Sequence, residues 1–276
     1  MADKEERREW ARVARARAQE FVRHHPMKVE NVLDHWYVGT NDERRQGMDW
    51  YVDARATCAV IAQDTGLGQY EVAGLVAVYS VQTVWASTIV TAARVAKSKN
   101  PLGGVGSGVM ATERTKAQAQ RILNGDHYDE VLKGYKTNAF AHLIFYGGDS
   151  SEDETAGCTR VCIDKHAYSV ACGTRATDAA YAASGLQSKL CYEQAANCYR
   201  GAADILSDNQ GSYIAPHQVQ ATVWIVRQRF NESQSKGNNR RAQRALERMR
   251  RYLSENHPRA SLLIPASGYS RPTSPC

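Results

Sequence analysis

The chain has 276 residues, 43% of them hydrophobic; this excludes a disordered polymer and allows one large domain or two interlocked lobes with a proper core. No run of about 18 apolar residues occurs, so no transmembrane helix is expected, and the N-terminal MADKEERREWARVARARAQEF lacks the apolar core of a secretory signal. The net charge of +6 is modest but uneven: from Arg227 to Arg251, nine Lys/Arg stand against two Glu, which suits either a solvated helix face or contact with phosphates.

Taken in chain order, the pattern predicts helices throughout. Residues 3–24 place Trp10, Val13, Ala14, Arg17 and Phe21 at helical spacing, and Pro26 ends that helix. A short helix follows over 28–38, with Val29, Val32, Leu33 and Trp36 on one side, and another over 48–64, closed by Gly66 and Gly68. The apolar, alanine-rich stretch 69–97 reads as two buried helices with a break near Ser80–Thr83. PLGGVGSG at 101–108 is a loop; it lacks GxGxxG spacing and no strand precedes it, so a nucleotide-binding turn is not indicated. Residues 112–123 form a helix with Thr112 as cap, 127–134 a short helix ending at Gly134, and TNAFAHLIFYGG the next. DSSEDETAGC at 149–158 is an acidic loop, and Asp164 is well placed to start a helix. Residues 176–206 are alanine-rich and helical, Pro216 opens a further helix, 231–239 is a linker, RRAQRALERMRRYL a basic helix, and the tail from Pro258 is loose. With no strands and no repeat, the fold class is all-α, of roughly ten helices. Seven cysteines, odd in number and without tight paired spacing, point to free thiols in a reducing compartment.

Four local patterns occur in order: AVYSVQTVW (77–85), ERTKAQAQRIL (113–123), LKGYKTNAF (132–140) and VCIDKHA (161–167). Together they resemble the helix-hairpin-helix, endonuclease III-like superfamily of DNA glycosylases, over residues 70–173. Ser80-Val81-Gln82 looks like that family's Ser-x-Gln element, Lys116-Ala117 like its Lys-Ala pair, LKGYKTNA like its Leu-x-Gly-x-Gly-x-Lys-Thr-Ala hairpin, and Ile163-Asp164-Lys165-His166 like its apolar-Asp-x-His segment. The resemblance implies two helical lobes, residues 67–160 forming one and residues 1–66 with 161–257 the other, with duplex DNA bound across the cleft between them and 258–276 a flexible tail. It also implies a cytoplasmic, DNA-associated monomer with no cofactor, no metal and no membrane partner.

The implied chemistry suits these residue types. A base inside a duplex is extruded before its glycosidic bond can be reached. Breaking that bond gives the sugar oxocarbenium character, which a carboxylate stabilises, or the carboxylate activates the nucleophile. Asp164 is the candidate, and a helix start favours an anion there. Lys136 is the candidate amine nucleophile for a Schiff base with C1′ and strand cleavage. Its register has two readings, because this hairpin is shorter than the family's. With a two-residue gap, Lys136-Thr137 falls on the catalytic Lys-Thr. Without it, Asn138 stands at the lysine's place and Lys136 at that of the second glycine. Gly134 and its neighbours Tyr135, Thr137 and Asn138 would hold a DNA phosphate through the turn, Gln82 would fill the space left by the extruded base, and Lys165 and His166 would meet DNA beside the aspartate.

Three departures from the family stand out. Lys136 and Asp164 lie further apart in sequence than is usual there, the acidic 149–158 insertion accounting for the excess. The iron–sulfur motif is missing: Cys191 and Cys198 have its first spacing but no Cys-x-x-Cys follows, and Cys158, Cys162 and Cys172 lack zinc spacing. The alternatives are a base-hypermodifying transfer enzyme on the same scaffold, of a kind implicated in bacteriophage genomes, and a DNA-binding module without catalysis.

Overall fold

The computed structural model describes residues 4–81, 83–104, 112–148, 159–174, 186, 188–233 and 236–261. Among them the regular structure is all-α: thirteen helices, no strand. They are α1 (Lys4–His24), α2 (Val29–Tyr37), α3 (Asn41–Thr65), α4 (Gln69–Tyr79), α5 (Trp85–Ser98), α6 (Glu113–Leu123), α7 (Tyr128–Val131), α8 (Tyr135–Tyr146), α9 (Lys165–Ala171), α10 (Lys189–Gln210), α11 (Pro216–Ser233), α12 (Lys236–Asn256) and α13 (Pro258–Ser261).

Several boundaries differ from the sequence reading, each for a local reason. α3 begins at Asn41 rather than near 48, because Thr40 and Glu43 form a reciprocal capping box: Thr40 N–H donates to Glu43 Oε2 (2.8 Å) and Glu43 N–H to Thr40 Oγ1 (3.2 Å). α8 begins at Tyr135, with Gly134 as its cap, so Lys136 sits in the first helical turn and not in the loop before it. The expected linker 231–239 is largely helical, since α11 runs to Ser233 and α12 starts at Lys236. The expected loose tail opens with a helical turn, α13, in which Pro258 takes the first position, where its missing N–H costs nothing. Residues 149–158, 175–185 and 262–276 lie outside the described residues, and with them the acidic loop, the start of the expected 176–206 helix and most of the tail. The described part of that alanine-rich helix starts at Lys189, capped by Ser188 Oγ, which accepts from Cys191 N–H.

The chain divides into two compact units. The first comprises residues 1–48 and 158–227, the second residues 49–157 and 228–276. In this division α12 falls in the unit of the middle of the chain, whereas the sequence reading grouped it with the N-terminal helices. In the first unit α2, α9 and α10 share a core built on Val32, Trp36, Ile163, Tyr168, Tyr199 and Leu206. Alanines 195, 196, 202 and 203 line α10's buried face, and small residues there let α2 approach closely. Gly47 on α3 serves the same end, because a Cβ would lie 2.0 Å from Thr222 Oγ1.

In the second unit α4 is the central element. Every residue from Val72 to Tyr79 is buried, as expected of a helix that is apolar all round, and α5, α6 and α8 pack around it. α12 lays Ala245, Leu246, Met249 and Leu253 against α5. The Arg94 guanidinium over the Tyr252 ring (5.1 Å), Lys97 donating to Asn256 Oδ1 (2.8 Å) and the His257–Asp64 pair (2.8 Å) fix it there.

Candidate active site

Within the second unit, α7, the turn Leu132–Gly134 and α8 form the hairpin. α7 is capped by His127, whose Nδ1 accepts from Asp129 N–H (3.3 Å). It ends where Leu132 turns extended. Gly134 is also extended (φ −81°), so its glycine is not needed for a left-handed turn. It leaves room instead: a Cβ would lie 3.1 Å from Thr137 Oγ1, which donates back to Gly134 O (3.1 Å). α8 therefore starts without a side-chain cap.

Asn138 closes the hairpin from inside α8. Its Nδ2 donates to Asp129 Oδ1 (2.9 Å) and to Leu132 O (3.1 Å). Lys133 Nζ adds a bond to Asp129 O (3.1 Å). Lys136, one helical turn before Phe140, turns the other way. Its Nζ donates to Ser80 Oγ (3.0 Å) and lies over the Phe140 ring, 5.1 Å from the centroid. Ser80 is the C-cap of α4, and its hydroxyl donates in turn to Ala77 O (2.8 Å). Phe140 belongs to an aromatic wall: its ring lies 5.9 Å from Trp50 and 6.3 Å from Trp85, with Trp50 and Trp85 at 4.9 Å. Trp50 is buried, whereas Trp85 and Phe140 are partly exposed and Val81, Val84 and Tyr135 are exposed. A half-buried amine is thus set beside a hydroxyl and aromatic faces. Such a group can attack an electrophilic carbon while planar surfaces hold a ring nearby.

Asp164 lies in the first unit as the N-cap of α9. Its Oδ1 accepts from His166 N–H (2.9 Å) and Ala167 N–H (2.8 Å), and Oδ2 has no hydrogen-bond partner among the described residues. The preceding Val161–Ile163 is buried and lies outside any helix, with no strand beside it among the described residues. The Tyr192 hydroxyl substitutes for one, donating to Val161 O (2.8 Å) and accepting from Ile163 N–H (3.1 Å). Tyr199 donates to Ala167 O (3.0 Å); burial, then the nearby Asp164 carboxylate, pushes its hydroxyl well above the usual tyrosine range. Burial lowers His166, against the pull of Asp164 and with help from Lys165 and Arg227. Its Nδ1 is buried without a partner. His166 is partly buried, whereas Lys165 is exposed. Arg227, donating to Thr174 O (2.7 Å), supplies positive potential to this neighbourhood.

Gly134, Tyr135, Lys136, Thr137 and Asn138 are thus gathered with Ser80 in the second unit, and Asp164, Lys165 and His166 in the first. Gln82 lies outside the described residues. Sequence reasoning missed the aromatic wall and the Tyr199–Arg227 surroundings of Asp164. The Lys136-to-Phe140 spacing was a usable signal for the first; nothing local marks the second. A cleft of about 580 Å³ in the first unit, lined by Trp36, Tyr37, Arg44 and Met48 among others, contains none of the predicted residues. Its Arg44 is already bound to Trp36 O, Gly39 O and Asn41 Oδ1. Cys58, Cys162, Cys172, Cys191 and Cys198 are buried and form no disulfide, and burial pushes Cys58 and Cys172 up to about 12 and Cys198 to about 11. No cluster of three or more His, Cys, Asp or Glu suited to a metal occurs among the described residues, and no helix there is long and apolar enough to cross a membrane.

No curated protein and no solved structure matches the chain. One family model does, over residues 7–232, and that span is most of the chain. The chain accordingly belongs to DUF7178, a family of unknown function.

Proposed function

We propose that this protein is a DNA glycosylase-like enzyme that extrudes and excises a modified or damaged base from duplex DNA, with Lys136 as the attacking amine and Asp164 as the carboxylate. The observation that carries the reading is the posture of Lys136: its amine rests on Ser80 Oγ at 3.0 Å and over the Phe140 ring, while Asn138, the rival for the lysine's position, is bound into the hairpin.

The chemistry follows from those groups. The amine nitrogen attacks C1′ as the C1′–N bond to the base breaks; the bonding pair leaves with the base, which takes up a proton. The nitrogen then passes a proton to the ring oxygen O4′ as its lone pair forms the C1′=N bond and the C1′–O4′ bond breaks, opening the sugar to a protonated imine. Loss of a C2′ proton expels the 3′ phosphate and cuts the strand. Asp164, with an oxygen outside its capping bonds, supplies the negative charge that stabilises the cationic sugar. The aromatic faces of Trp85 and Phe140 suit the stacking of a planar base.

The test is incubation with duplexes carrying a panel of modified bases, scored for abasic sites, together with borohydride reduction on abasic DNA. A covalent adduct with the wild type that Lys136→Ala lacks supports the reading. No abasic site and no adduct on any duplex overturns it. An enlarged base retained in the DNA, detected by mass spectrometry, assigns the protein to group transfer instead.

A further inference from the structure

The outer face of α12 is basic in a way that its inner face is not. Arg244, Arg248 and Arg251 recur at i, i+4 and i+7, so their side chains share one face, opposite the buried Ala245, Leu246, Met249 and Leu253. All three are exposed. Glu247 stands three and four residues from Arg244 and Arg251, at ion-pairing distance in sequence, yet its Oε1 accepts from Gln243 Nε2 (3.1 Å), and none of the three arginines has an ion-pair partner among the described residues. The basic groups that anchor the helix behave differently: Arg94, Lys97, His257 and Arg259 are each engaged with Tyr252, Asn256 or Asp64.

We infer that this arginine face is a contact surface for the phosphate backbone of duplex DNA. The inference rests on the reading of the protein as a DNA-acting enzyme and adds to it a binding surface away from the reacting groups. Charge complementarity commits the face to that occupant. At 1.5 Å per residue the three guanidinium groups span about 10 Å of helix axis, roughly one positive charge per 5 Å, comparable to the one phosphate per 3.4 Å of each DNA strand. Arginine also offers two parallel N–H donors to a phosphate. The face lies beyond residue 232, where the family match ends.

The experiment is fluorescence anisotropy of the full chain with an unmodified duplex, titrated in salt, for the wild type, the triple variant Arg244→Gln/Arg248→Gln/Arg251→Gln and the matching triple lysine variant. Loss of three phosphate contacts makes the slope of log K against log[salt] shallower by about 2.7, so between 50 and 200 mM salt the wild type should lose about 40-fold more affinity than the glutamine variant. The lysine variant should keep the wild-type slope. An unchanged slope in the glutamine variant, or no salt-dependent duplex binding by the wild type, overturns the inference. Because the measurement needs no modified base and no chemistry, a failed excision or trapping assay leaves it intact, and an unchanged slope leaves the excision reading intact.

Discussion

Two helix starts carry the candidate chemistry, and they are built in opposite ways. α9 opens on Asp164, whose carboxylate takes the N–H groups of His166 and Ala167, so the chain itself supplies the anion that a helix N-terminus attracts. α8 opens on Gly134, which has no side chain to offer, and its first turn carries Lys136. The first start has a fixed internal charge; the second has the positive end of a twelve-residue helix with a cation beside it and no anion of its own. A carboxylate locked by two backbone bonds is oriented without further help, whereas the start of α8 has no side-chain cap and carries an amine in its first turn.

This contrast can be broken from either side. The largest effect is expected at Lys136: Lys136→Ala should abolish the borohydride adduct and lower excision by about 10³-fold or more, as loss of a covalent nucleophile does, with the thermal midpoint little changed. Next comes Asp164→Asn. Asparagine caps helices as well as aspartate, so stability should hold while excision falls by about 10²- to 10³-fold. Wild-type excision in that variant would reduce Asp164 to a cap, and Asp164→Ala would then show only the cap's loss of about 1 kcal/mol in thermal unfolding.

Acid should weaken the first unit's structure. Burial lowers His217 from 6.5 to about 4, and His35 and His166 are lowered too. A depressed histidine binds its proton more readily unfolded than folded, so its contribution is fully present above pH 6.5. It is lost as pH falls from about 6.5 to about 4, an effect on the order of 3 kcal/mol for His217 alone. Unfolding midpoints measured across that range should drop toward acid, and His217→Gln should flatten the drop.

Smaller effects sharpen the hairpin side. Asn138→Ala removes two bonds that close the turn and should cost about 1–3 kcal/mol in denaturant unfolding. Gly134→Asp gives α8 the cap that α9 already has. It should change stability by only a few tenths of a kcal/mol yet weaken duplex binding measurably, because the new carboxylate competes with phosphate. Unchanged DNA affinity in that variant would remove the functional meaning from the difference between the two starts.

Much of this organisation was legible in the sequence where one residue type has one local use. Thr112 and Asp164 read as caps because a short oxygen side chain before an apolar run has few other roles, and both accept the expected N–H groups. The break after Tyr79 followed from an apolar run too long for one buried helix. The start of α3 is also written in Thr40 and Glu43, but the polar stretch that follows has no apolar period to mark a helix. The surroundings of Asp164 were not legible. Tyr199 and Arg227 lie on α10 and α11, and nothing in their own neighbourhoods marks them as companions of a carboxylate; only tertiary packing brings them there. The posture of Lys136 was half legible: Phe140 follows at helical spacing, but Ser80 lies 56 positions away.

The Tyr192 hydroxyl has a consequence for the order of assembly. It ties Ile163 across 29 residues and Val161 across 31, standing in for the neighbouring strand that this segment lacks. The segment leading to Asp164 therefore depends on the docking of α10 for these two backbone bonds, and loosening that contact should loosen it. Hydrogen exchange at the Ile163 amide reports that event, and a phenylalanine at position 192 should quicken it while leaving the hairpin amides of the second unit at their native rates.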